Sequence, residues 1–327
     1  MADYPKNVME FRDQFREEEE CRAYLEQLRW PEGVRCPDCQ SAEIWTMRSP
    51  FYRCQCCGYD FTVTAGTLFA DTHKPLRVWF EAVWHVTSQK SGVSALGLQR
   101  ALGLGSYRTA WNWLHKLRRA MVRPGRDRLA GLVEVDETFI GGEVAGPRGR
   151  GALGKSLILI AAQIDGRILG RIRLQRIADA SARTLQAALA DMVEPGTEIR
   201  TDGWRAYGFV AKAGYTHRII RAETDPDAGA NLLPHAHQVA SLLKRWLLGT
   251  HQGAVTADHL DFYLDEFTFR FNRRTSGSRG LLFHRLMQQS VALAPVHART
   301  LRGGRPLPIP TPPQSKGNEV HTWIKFK

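Results

Sequence analysis

The sequence predicts an α/β protein with a zinc-binding module, a helical region and a larger mixed domain. Three observations carry this. Two Cys-x-x-Cys pairs, Cys36/Cys39 and Cys54/Cys57, are separated by fourteen residues. Apolar residues recur at helical spacing between Leu76 and Met121. From Leu132 onward the pattern runs three strands, helix, strand, helix, strand, helix.

In chain order, residues 8–29 read as helix, with Val8, Phe11, Phe15, Leu25 and Leu28 apolar and the run EEEE at 17–20 on a solvated face. Residues 31–66 carry turn chemistry and short aromatic strands. LRVWFEAVWHV after Pro75 is helical. Ser94 and Ser106 are expected to cap two further helices joined by Gly103-Leu104-Gly105, with Tyr107, Ala110, Leu114, Leu117 and Met121 forming the core face of the second. RPGRDR at 123–128 is a linker. Strands follow at 132–140, 157–164 and 167–177, with Asp165-Gly166 as a two-residue hairpin. SARTLQAALADMV is a helix, GTEIRTD and THRII are strands, and HQVASLLKRWLLGT and HLDFYLDEFTFRFNRR are helices. The expected division is 1–30, helical; 31–66, zinc module; 67–125, helix-turn-helix-like; 126–300, the α/β domain; and 301–327, a proline-rich flexible tail.

The 327 residues carry 45 Lys+Arg against 33 Asp+Glu, a net charge of +12, which favours polyanionic partners, nucleic acid first. The longest apolar run, LILIAAQI, is too short for a spanning helix, and the charged amino-terminal segment lacks the apolar centre of a signal peptide. A reducing cytosol and no membrane role are therefore expected. In that compartment clustered cysteines point to metal before disulfides. Cys36, Cys39, Cys54 and Cys57 suit a closed, structural zinc site. Cys56 is the alternative to Cys57, but only Cys57 keeps the two-residue gap, and Gly58 follows it for the turn. Cys21 is a small hydrophobe. On the second helix of the pair, Arg108, Asn112, Lys116 and Arg119 are the candidate DNA contacts.

LVEVDETFIGG places Glu134 and Asp136 on one face of a strand and Val133 and Val135 on the other. Asp202 closes the strand TEIRTD. Two aspartates facing each other across a parallel pair repel, and a divalent cation relieves that repulsion. The third ligand has two candidates. His237 shares a helical face with Ser241 and Lys244, which is placed to hold a phosphate. Glu266 suits a hard cation but has Arg270 one turn on.

CPDC…YRCQCCGYDFTVTAGTLF, VEVDETFIGG, TDGWRAY, HxxxSxLKRWLLGTHQG and YLDEFTFRFNRR together resemble a bacterial insertion-sequence transposase of the IS1595 family, ISXO2-like group. The resemblance spans roughly residues 20–285. It implies an amino-terminal zinc ribbon, a helix-turn-helix-like region and a ribonuclease-H-like DDE core using two Mg²⁺ or Mn²⁺ ions. Asp136 matches the first acid and Asp202 the second. A basic helical residue seven beyond the third position, met by Lys244, points to His237, with Glu266 in reserve. The departure from Glu at that position bears on which metal works best. The family implies cleavage at terminal inverted repeats, joining to a target, and at least a dimer on double-stranded DNA. A cytoplasmic, nucleoid-associated protein is expected. Arg148, Arg150 and Lys155 in the glycine-rich loop, and Arg270, Arg273 and Arg274 on the last helix, are further candidate phosphate contacts. Trp204 and Trp246 are expected to pack beneath the site. Two rivals remain: a non-catalytic DNA-binding regulator, which would not need both aspartates, and a nuclease that cuts without joining.

Overall fold

The acidic run expected on one solvated helix face instead breaks that helix in two. In this computed structural model, which describes residues 4–48, 50–123, 125–141, 155–221 and 231–303, α1 is Val8–Gln14 and α2 is Glu18–Arg29. Glu17 and Glu20 form a reciprocal capping box at the start of α2. Glu18 reaches across to α3 (Leu76–Ser88), accepting the N–H of Leu76 at 2.7 Å and of Arg77 at 3.2 Å. The N-cap of α3 is Pro75, which has no side-chain acceptor of its own.

The chain forms two compact units, residues 4–123 with 277–302, and residues 125–276. In the first, β1 (Ile44–Thr46), β2 (Tyr52–Cys54) and β3 (Asp60–Phe61) make an antiparallel three-stranded sheet. Its core is very small: Cys36, Cys54 and Phe61, flanked by residues such as Trp30, Ile44 and Tyr52. Next come α3, α4 (Ala95–Leu102) and α5 (Tyr107–Ala120). Ser94 and Ser106 cap α4 and α5 as the sequence predicts, and Gly103 ends α4 at φ +60°. Tyr107 is 53% exposed rather than in the core, while Trp113 stacks on Trp79 at 3.7 Å.

Residues 277–302 fall in the first unit, whereas the expected α/β domain ran to residue 300. Helix α9 (Arg279–Val291) packs in the first unit, where Phe283 joins Phe11, Phe15, Tyr24, Phe80 and Trp84 in an aromatic cluster. Helix α10 (Ala298–Arg302) lies in the same unit. An apolar stripe specifies that a helix is buried, but not against which core.

In the second unit, described residues form a five-stranded sheet of order β6-β5-β4-β7-β8. These strands are β4 (Leu132–Ile140), β5 (Ser156–Asp165), β6 (Ile168–Ile177), β7 (Glu198–Thr201) and β8 (Thr216–Ile219). The first three pair antiparallel; β7 joins β4, and β8 joins β7, in parallel. The hairpin turn falls one residue later than expected: Asp165 pairs with Ile168, so Gly166 and Arg167 make the loop. Between β7 and β8 the expected helix is replaced by two short 3-10 turns, 205–209 and 211–213.

The sheet is buried on both sides. Leu157, Leu159 and Ala161 of β5 join Val133 and Val135 of β4 against α6 (Ala182–Met192). Ile158, Ile160 and Ala162 face α7 (Pro234–His251) and α8 (Leu260–Phe271). That double burial explains why LILIAAQI is continuously apolar. It also leaves Glu134 and Asp136 on the α7 side.

Candidate metal centres

The cysteine ligands sit on two similar knuckles. Gln40 N–H donates to Cys36 O and Gly58 N–H to Cys54 O, each at 3.0 Å, and both donors adopt positive φ. The four Sγ atoms lie within 4.8 Å of one another, with Cys36–Cys57 at 3.6 Å and Cys39–Cys54 at 3.5 Å. A tetrahedron with Zn–S bonds of about 2.3 Å has edges near ~3.8 Å, so the thiols fit zinc with little movement. The N–H of Cys57, chiefly, holds the Cys54 thiol down at about 7, toward the thiolate a metal requires. Cys56 is exposed and outside the cluster, and Cys21 is buried in the helical core.

The acidic centre is assembled from distant segments. In the parallel β4–β7 pair, Leu132 aligns with Glu198 and Glu134 with Arg200. Asp136 lies two residues beyond the last pair on β4 and Asp202 two beyond it on the partner, just past β7, and the charge of Asp202 acts on Asp136. Asp202 ends β7 at a tight turn: its Oδ1 accepts the N–H of Trp204 at 2.9 Å. Gly203 between them has φ +79°, and a Cβ there would meet Ile219 at 2.5 Å. A glycine is thus required to turn the chain directly behind the aspartate.

Asp136 is 18% exposed at its side chain, and its Oδ2 lies 3.1 Å from Nε2 of His237 on α7. Burial, with added repulsion from Glu137 and Asp202, raises the Asp136 pKa above the ordinary carboxylate value; the Glu137 N–H and His237 oppose that rise. His237 Nδ1 is 2.5 Å from Asn231 Oδ1. An amide oxygen only accepts, so Nδ1 carries a proton, and Nε2 is the nitrogen that faces Asp136. Asp136, Asp202 and His237 do not all fall within 4.8 Å of one another. Given the close Asp136–His237 pair, Asp202 stands farther from at least one of them.

Glu266, the reserve ligand, is 1% exposed and paired with Arg270 at 2.8 Å. Lys244 is exposed, as are His237 and Ser241 on α7. Of the α5 candidates only Arg108 is exposed: Asn112 is half-buried, the Lys116 ammonium is 5.9 Å from the Trp79 ring centroid, and Arg119 is 8% exposed. Just past the end of α8, Arg273 lies over Phe269 at 4.1 Å. Arg274 lies over Phe271 at 4.2 Å and donates to the carbonyls of Gly170 and Leu169. Lys155 is half-buried at the start of β5, and Arg148 and Arg150 lie outside the described residues. Trp204 and Trp246 pack against the two cores of the second unit.

Sequence reasoning left three partners unassigned. Tyr207, 1% exposed, donates its hydroxyl to Glu137 beside the aspartates. Asn231 holds His237. Glu134, 3% exposed, binds the start of α7. Only the alternation that puts Glu134 on the Asp136 face gave any sign of this.

Residues 128–272 match the family model of the ISXO2-like transposase domain, and residues 16–60 that of the transposase zinc-ribbon domain. A protein of Halobacterium salinarum described as an uncharacterized protein in transposable element ISH50 is 27% identical over 265 residues. The match covers 75% of this chain and 88% of that protein. No helix among the described residues is long and apolar enough to cross a membrane.

Proposed function

We propose, from the premise that this chain belongs to the ISXO2-like transposase family, that it is the transposase of an insertion sequence, cutting DNA at terminal inverted repeats and joining the freed ends to a target. Its second unit is read as a ribonuclease-H-like catalytic core, and its first as a zinc ribbon followed by a helix-turn-helix-like DNA reader. Work on chromosomal DNA puts it in the cytoplasm with the nucleoid, and pairing two element ends calls for at least a dimer. The observation that supports this reading is the meeting of β4 and α7, with His237 3.1 Å from Asp136, beside a parallel β7 whose following residue, Asp202, acts on Asp136 by its charge.

In this reading Asp136, Asp202 and His237 hold divalent cations, Mg²⁺ or Mn²⁺. Bound there, two cations would activate the attacking water or 3′-hydroxyl and stabilise the leaving oxygen of an in-line displacement at phosphorus. Asp136 supplies charge that burial leaves under-compensated, and the His237–Asn231 contact keeps Nε2 free to ligate. Lys244, seven residues along α7, neutralises a phosphate of the bound strand. Arg108 at the exposed start of α5 contacts DNA backbone. The Tyr207 hydroxyl is buried and committed to Glu137, so it serves the site's framework rather than attacking phosphorus. Glu266 acts as a structural partner of Arg270.

The test is purified protein with labelled terminal-repeat DNA and Mg²⁺ or Mn²⁺, scored for cleaved and joined products. Cleavage and joining are expected, both lost in Asp136→Asn and Asp202→Asn. Metal-dependent cutting that survives both substitutions would overturn the site. Binding with no product favours the regulator, and cutting without joining favours the nuclease.

A further inference from the structure

Glu134 is a carboxylate buried to 3% exposure on a central strand, one pleat before Asp136. Its Oε2 accepts the N–H of His235 at 2.8 Å and of Ala236 at 2.9 Å; its Oε1 lies 2.8 Å from Nδ1 of His235. These are first-turn donors of α7, which begins at Pro234 and whose N-cap, Leu233, has no side chain to accept them. The strand therefore supplies the cap that the helix lacks, with negative charge at the helix's positive end.

The same strand face and the same helical turn make a second link. Two residues beyond Glu134 is Asp136, and one beyond Ala236 is His237. Their side chains meet at 3.1 Å. Two residues along a strand advance about 6.6 Å, so the anchor and the site are adjacent steps of one strand–helix seam.

We propose that Glu134 is a positioning residue: it fixes the first turn of α7 on β4 so that the His237 imidazole faces Asp136, and holds no cation itself. Three donors occupy its oxygens, whereas Asp136 is left under-compensated. The proposal rests on the reading of Asp136 and His237 as cation ligands.

Glu18 provides an internal control. It caps α3 in the same manner, from a distant segment onto a helix whose Pro75 N-cap cannot. It belongs to the other unit, not to the one that carries Asp136 and His237. Loss of a cap alone is what E18Q measures.

The experiment uses the full chain in the E134Q, E18Q, H235A and D136N forms. Two readouts need no turnover: Mn²⁺ affinity by electron paramagnetic resonance, and amide exchange across residues 231–240 by mass spectrometry. E134Q keeps the side-chain volume but replaces an acceptor oxygen with a donor. It is expected to speed exchange in the first turn of α7 and weaken Mn²⁺ binding on the order of ten- to a hundredfold, as loss of an outer partner of a metal ligand does. E18Q is expected to leave Mn²⁺ affinity unchanged. H235A keeps both backbone caps and is expected to show the same two effects at a few-fold size, which covers the case of an E134Q that does not fold.

Faster α7 exchange with unchanged Mn²⁺ affinity would reduce Glu134 to an ordinary cap and overturn the proposal. Loss of Mn²⁺ with α7 exchange unchanged would overturn it too, making Glu134 a ligand. In either case a D136N protein that no longer binds Mn²⁺ leaves the catalytic reading standing. Mn²⁺ binding unaffected by D136N would remove that reading and the proposal together.

Discussion

The two candidate metal centres are built in opposite ways. The thiols come from two short turns, each fixing its pair of ligands locally, and all four sulfurs lie within 4.8 Å. The acidic centre draws one residue each from β4, the end of β7 and the first turn of α7, and those three do not close to the same distance. The core of the cysteine module is Cys36, Cys54 and Phe61, two of them candidate ligands, so the module is expected to depend on its metal. The acidic site rests on a sheet buried on both faces, whose cohesion comes from apolar packing.

The comparison breaks most visibly on chelation. Stripping zinc, or substituting Cys36→Ser with Cys54→Ser, should unfold residues 31–66, since structural zinc contributes on the order of 10 kcal/mol to comparable modules. Amide protection should collapse there, while exchange stays slow in β4 and β5. Retained protection of β1–β3 after complete zinc removal would mean the small core suffices alone. Next in size, Asp136→Asn or Asp202→Asn should lower strand cleavage on the order of a thousandfold, about 4 kcal/mol of transition-state stabilisation, with DNA affinity nearly unchanged. A parallel loss of DNA binding would instead make the carboxylates part of the docking surface or the fold.

The contrast also accounts for what could be read in advance. The cysteine site was legible because its information is local: two gaps of two residues and a glycine at Gly58. Asp136 and Asp202 were legible in part, because alternation and strand order are sequence properties and the parallel pairing was expected. Glu134 was not, because its partners are backbone N–H groups a hundred residues away, and no residue type signals that a helix lacks its own cap. The same holds for Glu18, whose place in an acidic run suggested solvent. Lys116 and Arg119 misled because a basic residue on an amphipathic helix carries no label for whether its stem is covered. The home of α9 was invisible for the reason that any non-local contact is.

A sharper comparison asks what each site does to stability when empty. Burial, foremost, together with Glu137 and Asp202, raises the Asp136 pKa, so the folded protein keeps that proton to higher pH than the unfolded chain. The cation-free protein should therefore lose stability as pH rises from about 3.9, the unfolded value, through the raised one. D136N should remove that slope and stabilise the cation-free protein at pH 7 by roughly 0.5–2 kcal/mol, the usual scale when a functional compromise is relieved. Urea melts at several pH values measure this. Saturating Mn²⁺ should stabilise the wild type and not D136N. A D136N less stable than wild type without cation would mean that the His237 contact outweighs burial.

The smallest effect lies within the cysteine module itself, where the two knuckles differ in the residue that follows the second cysteine. Gly58 and Gln40 occupy the same step after their second cysteine, at φ +73° and +62°. A side chain at such an angle costs roughly 1–2 kcal/mol, offset by the 0.5–1 kcal/mol of extra chain entropy a glycine loses on folding. Gln40→Gly should thus raise the unfolding free energy of the zinc-loaded module by a few tenths to about 1 kcal/mol. Gly58→Ala should lower it by about 1 kcal/mol, through backbone strain alone, since a Cβ there meets no atom within 4 Å. Opposite signs at these two positions would show that the knuckles are equivalent and differ only in how far each is optimised. A destabilising Gln40→Gly would show instead that the Gln40 side chain, whose amide reaches Pro37 O at 3.5 Å, holds its turn by more than the backbone angle costs.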